Sequence, residues 1–233
     1  MRSLRLMKKA QLLKFIILLS CLFQDTFARQ SISGSRYELL TGQRVQDKAS
    51  NIWDKKFAQH DYIYGKSPAN FLAKNYQHIP RGATVLDIGM GEGRNAVFLA
   101  TKGYKVTGVD ISSVAIDKSL RLARQAGVRI KTIHKSVDDL KIAAGSLDAI
   151  ICFYYVDREV SNKLKKWLKP GGVIIYEGYT TAHKKKYKEQ SVDSYFLKPA
   201  ELLTMFNDFK ILKYEEPQQS SELTQSIIAK KPE

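Results

Sequence analysis

The chain has 233 residues, 44% apolar and 26% charged, with a formal net charge of +15 at pH 7. These proportions suit one α/β-sized globular domain with N-terminal additions, and the chain shows no internal repeat or long low-complexity segment. The two cysteines, Cys21 and Cys152, exclude a disulfide framework and a cysteine-rich metal site.

At the N-terminus a basic stretch, Met1 to Lys14, precedes the apolar run Phe15 to Phe23, and Thr26 and Ala28 offer small residues for cleavage. The segment 1–28 reads as a secretory signal peptide, with an apolar run too short for a comfortable membrane span. Leu18-Leu19-Ser20-Cys21 also resembles a bacterial lipoprotein processing site with Cys21 as lipid acceptor, and a start at Met7 or later would leave the segment untranslated. Export or membrane targeting is expected if the segment is a signal, and a cytoplasmic location otherwise. Without its five basic residues and Asp25 the formal charge is +11. Such a surface attracts nucleic acid, acidic membrane or anionic substrate, or is a solvated lysine-rich face. The basic residues are dispersed except for Lys184-Lys185-Lys186-Tyr187-Lys188, which falls in an expected loop.

Residues 29–50 read as a linker with a weak helix. Helical periodicity begins at Asn51, with Trp53, Phe57 and Ala58 on one face. The aromatic turn Tyr62 to Pro68 follows, then a helix over Ala69 to Tyr76. After Pro80-Arg81-Gly82, strands and helices alternate. Strand one is Thr84 to Ile88, with a helix from Arg94 to Lys102 stopped by Gly103. Strand two is Lys105 to Asp110, and Ser112 or Ser113 caps a helix to Ala126. Strand three is Arg129 to His134 and strand four Leu147 to Tyr154. A helix over Arg158 to Leu168 leads to a Lys169-Pro170-Gly171-Gly172 turn and strand five, Val173 to Glu177. Lys198-Pro199 opens a helix carrying Leu202, Leu203 and Phe206. Phe209 to Tyr214 and Leu223 to Ala229 are the last strands, joined by a connection short enough to demand an antiparallel hairpin. The expected fold is α/β, a doubly wound and mainly parallel seven-stranded sheet with a C-terminal antiparallel hairpin.

The densest signal is Asp87-Ile88-Gly89-Met90-Gly91-Glu92-Gly93-Arg94, a strand end, a tight turn and a helix start. This is where a doubly wound sheet binds a nucleotide-like ligand. Dinucleotide spacing needs glycine or alanine at position 94, where Arg94 stands. Gly89, Gly91 and Gly93 let backbone approach a ligand, and Asp87 favours a cationic one. Asp110, ending strand two, suits the two hydroxyls of a ribose, with Ile111 beside the base.

The Asp-x-Gly-x-Gly-x-Gly pattern resembles that of class I S-adenosylmethionine (SAM) dependent methyltransferases, and the resemblance covers residues 51–231. Within that superfamily the chain is most similar to the tellurite-resistance and thiopurine-type enzymes. The string Tyr62-Ile63-Tyr64-Gly65-Lys66-Ser67-Pro68-Ala69-Asn70, Gly93-Arg94-Asn95-Ala96 and Glu177-Gly178-Tyr179-Thr180 carry that likeness. It implies a Rossmann-like methyltransferase domain over 51–231, SAM as cofactor, and an aromatic lid (51–80) bringing Trp53, Tyr62, Tyr64 and Gly65 near it. Aromatic faces attract a sulfonium by roughly 0.5–2 kcal/mol. The family places an acidic residue after strand three, near the adenine. This chain has Ser136-Val137 in that register, with Asp138 and Asp139 beyond. Tyr64, Asp87, Gly89, Gly91, Gly93, Asp110, Ile111, Ser136, Val137 and Phe153 form the expected cofactor set.

The expected acceptor side is Tyr154 to Arg158 and Tyr179 to His183. Asp157 and His183 are the candidate acid–base groups, and Arg158 or the lysine run could steer an anion. A soft nucleophile, such as a thiol or a selenium or tellurium oxyanion, needs little base catalysis. His60, His78 and His134 have no metal-ligand spacing, and Cys152 reads as a core residue. A small-molecule substrate is expected. A nucleic-acid or protein methyltransferase is the alternative, but Phe153-Tyr154-Tyr155-Val156 lacks the Asn/Asp-Pro-Pro-Tyr/Phe box of amino-directed DNA enzymes. A non-catalytic SAM-binding exported protein is the third reading.

Overall fold

The computed structural model describes residues 45–219 and 221–233. The signal-like segment 1–28, with Cys21, and residues 29–44 of the expected linker lie outside the described residues. The chain divides into two units, Met1–Val45 and Gln46–Glu233, and the second carries the fold.

Helix α1 spans Val45–Phe57, so helical structure starts ahead of Asn51, and α2 spans Asn70–Asn75. Then come β1 (Thr84–Ile88), α3 (Arg94–Thr101), β2 (Lys105–Asp110), α4 (Ser113–Gln125), β3 (Lys131–His134) and β4 (Leu147–Phe153). The chain continues through α5 (Ser161–Trp167), β5 (Leu168–Tyr179), α6 (Thr181–Tyr187), α7 (Glu201–Met205), β6 (Lys210–Glu215) and β7 (Thr224–Lys230). The sheet order is β3-β2-β1-β4-β5-β7-β6. Strands β1 to β5 pair in parallel, while β7 lies antiparallel between β5 and β6. Chain order reverses between β1 and β4, and ligands of open α/β sheets bind at such a crevice, beyond the carboxyl ends of the strands.

Both sheet faces are covered, which is why the central strands read as unbroken apolar runs. Leu86, Ile88, Ile150, Cys152, Ile174 and Tyr176 face one way and pack with Leu164 and Trp167 of α5 and Leu202 of α7. Their neighbours in sequence, Val85, Ala149, Ile151, Val173 and Ile175, face the other way against Phe71, Leu72, Ala96 and Leu99. Burial pushes the Cys152 thiol far above its ordinary value, as a core thiol requires.

Three local expectations change. The Lys169 to Gly172 turn lies within β5: Gly171 takes φ 71°, and Lys231 N–H donates to Gly172 O at 2.8 Å. The turn residues are there, but the C-terminus satisfies their backbone as a ladder would. The lysine run is helix α6, not a loop. Thr180 Oγ1 accepts from His183 N–H at 3.3 Å as its N-cap, and lysine is a good helix former. Helix α5 begins after Arg158, because Asp157 Oδ1 accepts the N–H of Glu159 at 2.9 Å and holds a turn there.

Candidate functional site

Strand β1 is buried from Val85 to Ile88 and delivers Asp87 to the crevice between β1 and β4. The turn that follows holds Gly89, Gly91 and Gly93 at φ 61°, 53° and 85°. At Gly93 a Cβ would lie 2.5 Å from Ser119 Cβ on α4, so only glycine lets α4 pack on the turn. Met90 N–H donates to Val109 O at 3.0 Å, and Gly91 N–H donates to Asp110 Oδ2 at 2.8 Å. The turn is thereby fastened to the end of β2. Gly108 on β2 belongs to the same arrangement. A Cβ there would sit 1.8 Å from Met90 Sδ. An isolated glycine inside a strand was the available signal.

Asp110 is 8% exposed and also accepts Ser112 N–H, at 2.8 Å. Burial raises its pKa, while the Ser112 and Gly91 amides pull it down. Asp87 is 1% exposed, and its Oδ2 has no hydrogen-bond partner among the described residues. Burial foremost, and then the charge of Asp110, hold its carboxyl well above the usual range, against Arg94 and the Ala96 amide. A buried carboxylate oxygen without a donor is costly unless a ligand supplies one.

The other expected cofactor residues divide. Ile111 is half-buried beside Asp110, its carbonyl accepting from Ser50 Oγ at 3.0 Å and meeting His134 Nε2 at 2.9 Å. Tyr64 is 49% exposed and meets Phe57 edge-on at 6.4 Å. The Phe57 ring in turn lies 3.5 Å from where a Cβ on Gly91 would stand. Trp53 stacks on Phe57, and Asp54 Oδ1 accepts the Ser112 hydroxyl at 2.6 Å. Helix α1 thus lies against both the glycine turn and the start of α4. The Tyr62 hydroxyl donates to Lys118 O, and Gly65 makes the turn that follows. Ser136 Oγ is engaged locally by Asp138 N–H at 3.3 Å. The side chains of Val137 and Phe153 are buried in the two core clusters.

Across the crevice stands an aromatic wall. Tyr154 takes φ 61°, and its hydroxyl donates to Glu177 Oε1 at 2.8 Å. Ser226 donates to Glu177 Oε2 at 2.7 Å. Burial raises the Glu177 carboxyl against these two bonds. Tyr179 lies 4.7 Å from Tyr154 and 4.1 Å from the ring of His183. The Tyr179 hydroxyl is pushed up to about 12 by burial. Arg94 fronts this wall, 5.5 Å from the Tyr154 ring and 6.0 Å from the Tyr64 ring, and donates to Tyr64 O at 3.1 Å. It makes no ion pair with a described residue.

The acid–base candidates are engaged in structure. Asp157 holds the turn before α5 and accepts from the Tyr155 hydroxyl at 3.3 Å. His183 lies between the Tyr179 and Tyr187 rings, its Nδ1 accepts Leu223 N–H at 3.4 Å, and burial lowers its pKa. Arg158 is bound to Glu201 through Nε and Nη2 and to the Ser194 and Phe196 carbonyls. Lys184 pairs with Asp193. Neither is the free anion-steering cation that the sequence suggested. Arg94 and Glu177 are better placed, and the sequence showed them only as members of the glycine string and of the Glu177 to Thr180 stretch.

Residues 85–172 match the family model of a methyltransferase domain. Over 189 residues the chain is 25% identical to a ubiquinone biosynthesis O-methyltransferase from Rickettsia canadensis, covering 70% of this chain and 78% of that one. Two solved structures share the fold at 18% identity, each with a TM-score of 0.58. TehB from Haemophilus influenzae covers 78% of this chain, which spans 66% of it. Magnesium protoporphyrin IX methyltransferase (ChlM) from Synechocystis PCC 6803, with bound SAH, covers 80%, and the match spans 99% of that enzyme. With a methyltransferase-domain match running through its glycine turn and the sheet order to match, the chain is a SAM-dependent methyltransferase with a Rossmann-like fold.

Proposed function

We propose that the enzyme methylates a small molecule whose nucleophile is soft: a thiol, or a selenium or tellurium oxyanion. The cofactor supplies an electrophilic methyl group on a sulfonium. The residues around the glycine turn suit it. Asp87 Oδ2 offers a cationic ligand a buried oxygen without a donor. Gly89, Gly91 and Gly93 leave backbone bare for its amino-acid end. Asp110 keeps lone pairs for ribose hydroxyls, beside Ile111 and the Ser136-Val137 amides. Tyr64 borders the same crevice, and Phe153 ends β4 beside it with its side chain in the core.

The engagement of Asp157 and His183 carries the acceptor reading. Both are held in hydrogen bonds of the fold, as is Glu177, so an acceptor that arrives as an anion fits best. Arg94 and the Tyr154–Tyr179 wall would hold it by charge and ring contact. Deprotonating a hydroxyl is the second reading. It is favoured by Glu177, a buried carboxylate of raised pKa at the wall, and by the O-methyltransferase relatives. SAH release should be assayed with an aryl thiol, selenite, tellurite, a catechol and tRNA. Turnover of a thiol or oxyanion, lowered in Arg94→Gln, supports the proposal. Turnover of the catechol alone, abolished in Glu177→Gln, replaces it with the hydroxyl reading. Turnover of tRNA alone refutes both.

A further inference from the structure

Among the described residues one ion pair is buried on both sides. Lys118 of α4 and Glu92 of the glycine turn meet at 2.7 Å with side chains 5% and 3% exposed. Burying both charges costs several kcal/mol in desolvation, and apolar residues of similar volume often serve a fold as well or better. Stability therefore explains the pair poorly.

The remaining contacts of Lys118 point elsewhere. Its ammonium donates to the carbonyls of Gln59 at 2.7 Å and Asp61 at 2.8 Å as well as to Glu92. Three protons meet three acceptors, so the charge is fully engaged. The Tyr62 hydroxyl donates back to Lys118 O at 2.9 Å, with its ring 5.5 Å from the ammonium. Residues 58–69 have no regular structure to hold them. They connect α1, whose Phe57 covers Gly91, to the turn that carries Tyr64. Glu92 lies between Gly91 and Gly93, so a shift of the turn displaces the carboxylate that the ammonium holds.

We propose that Lys118 is a positioning residue for cofactor retention, pinning the 59–62 strap to the glycine turn through Glu92 and the Gln59 and Asp61 carbonyls. The assignment rests on reading the Asp87 to Gly93 turn as the SAM site. Loss of the pin leaves that site's residues in place but frees the strap that follows Phe57, which lies against Gly91, and leads into the Tyr64 turn. The cofactor then escapes faster, and chemistry at saturating SAM suffers less.

The test uses the full chain and SAH as probe. Lys118→Met leaves the Glu92 charge buried and alone, which threatens folding. The Glu92→Gln/Lys118→Met double variant removes both charges and is the decisive protein. It should melt at or above the wild-type temperature. SAH should nonetheless leave it about ten- to a hundredfold faster by stopped flow, with KM for SAM rising more than kcat falls. A folded double variant with wild-type SAH release overturns the proposal. If neither variant folds, hydrogen exchange on the wild type decides. SAH must slow exchange across residues 58–65, and unchanged exchange there overturns the proposal. Wild-type protein that binds no SAH refutes the site itself, a separate failure.

Discussion

Replacing Gly108 by alanine tests how the glycine turn is built. The added Cβ would lie 1.8 Å from Met90 Sδ, 2.9 Å from its Cγ and 3.2 Å from its Cβ. Rotating the Met90 side chain clears the first two contacts and leaves the third, so β2 and the turn must part. Met90 is only 6% exposed and has little room to move outward. Overpacking of this kind costs about 1–3 kcal/mol. For a unit of this size each kcal/mol lowers the melting temperature by about 2–4 °C, so Gly108→Ala should melt roughly 2–12 °C lower. Because Met90 lies between Gly89 and Gly91, SAH affinity should also fall, by about tenfold for each 1.4 kcal/mol expressed at the turn. The assay is a double-mutant cycle with Met90→Ala, read by thermal melts and by titration calorimetry with SAH. In the Met90→Ala background the two nearest atoms are gone, and the alanine at 108 should cost at least about 1 kcal/mol less than in the wild type. Equal costs in the two backgrounds would show that Met90 is not what Gly108 accommodates, and the reasoning would fail.

Three other substitutions follow. Asp110→Asn presents an amide NH2 to the Gly91 or Ser112 N–H and leaves one buried donor unpaired. It should lose about 1–3 kcal/mol of stability and weaken SAH binding, and an unchanged titration would contradict the ribose role. Gly93→Ala and Gly103→Ala both place a side chain at positive φ, a strain of about 1–2 kcal/mol. Only Gly93 adds an overlap at 2.5 Å, so its melting temperature should drop clearly further, and equal drops would be evidence against the α4 packing argument. Glu177 has a folded pKa raised above its ordinary 4.5, so the stability from its tighter proton binding is complete below pH 4.5 and is lost as pH rises through the folded value. Glu177→Gln should therefore match the wild type in melts near pH 4 and exceed it at pH 8, and a difference independent of pH would sink the claim.

The strands β1 and β2 were legible residue for residue, because β-branched residues cluster in both, a turn residue stands before each, and a carboxylate stands at or next to the end of each. The antiparallel pairing of the last two strands was legible as well, since a short polar connection cannot carry a parallel crossover. Helix α6 was not. Its signals, a threonine cap and three lysines, are equally those of a solvated loop until Tyr179 and the Leu223 amide give His183 something to pack against. The turn, Asp87 and Asp110 lie close in sequence and so could be read as a cluster. Lys118, Gly108, Arg94 and Glu177 gain their meaning only from contacts made across the sheet edge, with Gln59, Met90, Tyr154 and Ser226, and no local pattern announces those.

The distribution of buried charge supports the same reading from another direction. Among the described residues the buried carboxyl and amino groups are those of Asp87, Glu92, Asp110, Lys118 and Glu177. All gather at the carboxyl ends of the strands or on the helix packed against them. Four carboxylates stand against one ammonium, in a chain whose formal charge is +15. Fold stability argues against every one of these burials, since each desolvated charge costs more than an apolar replacement. Burial raises the carboxyls of Asp87, Asp110 and Glu177, a cost that the sheet's other end does not share. There Asp148 is held below its ordinary value by Lys169 and the Thr84 amide. A crevice made negative inside a basic protein selects for a cationic ligand, and the unpaired oxygen of Asp87 sits at its floor. Arg94, at the rim between Asp87 and Glu177, is the positive group facing the aromatic wall. The field therefore runs from a floor that suits a sulfonium and an ammonium to a rim that suits an anion. That is the polarity expected of the methyl transfer proposed above, from a cationic donor to an anionic acceptor.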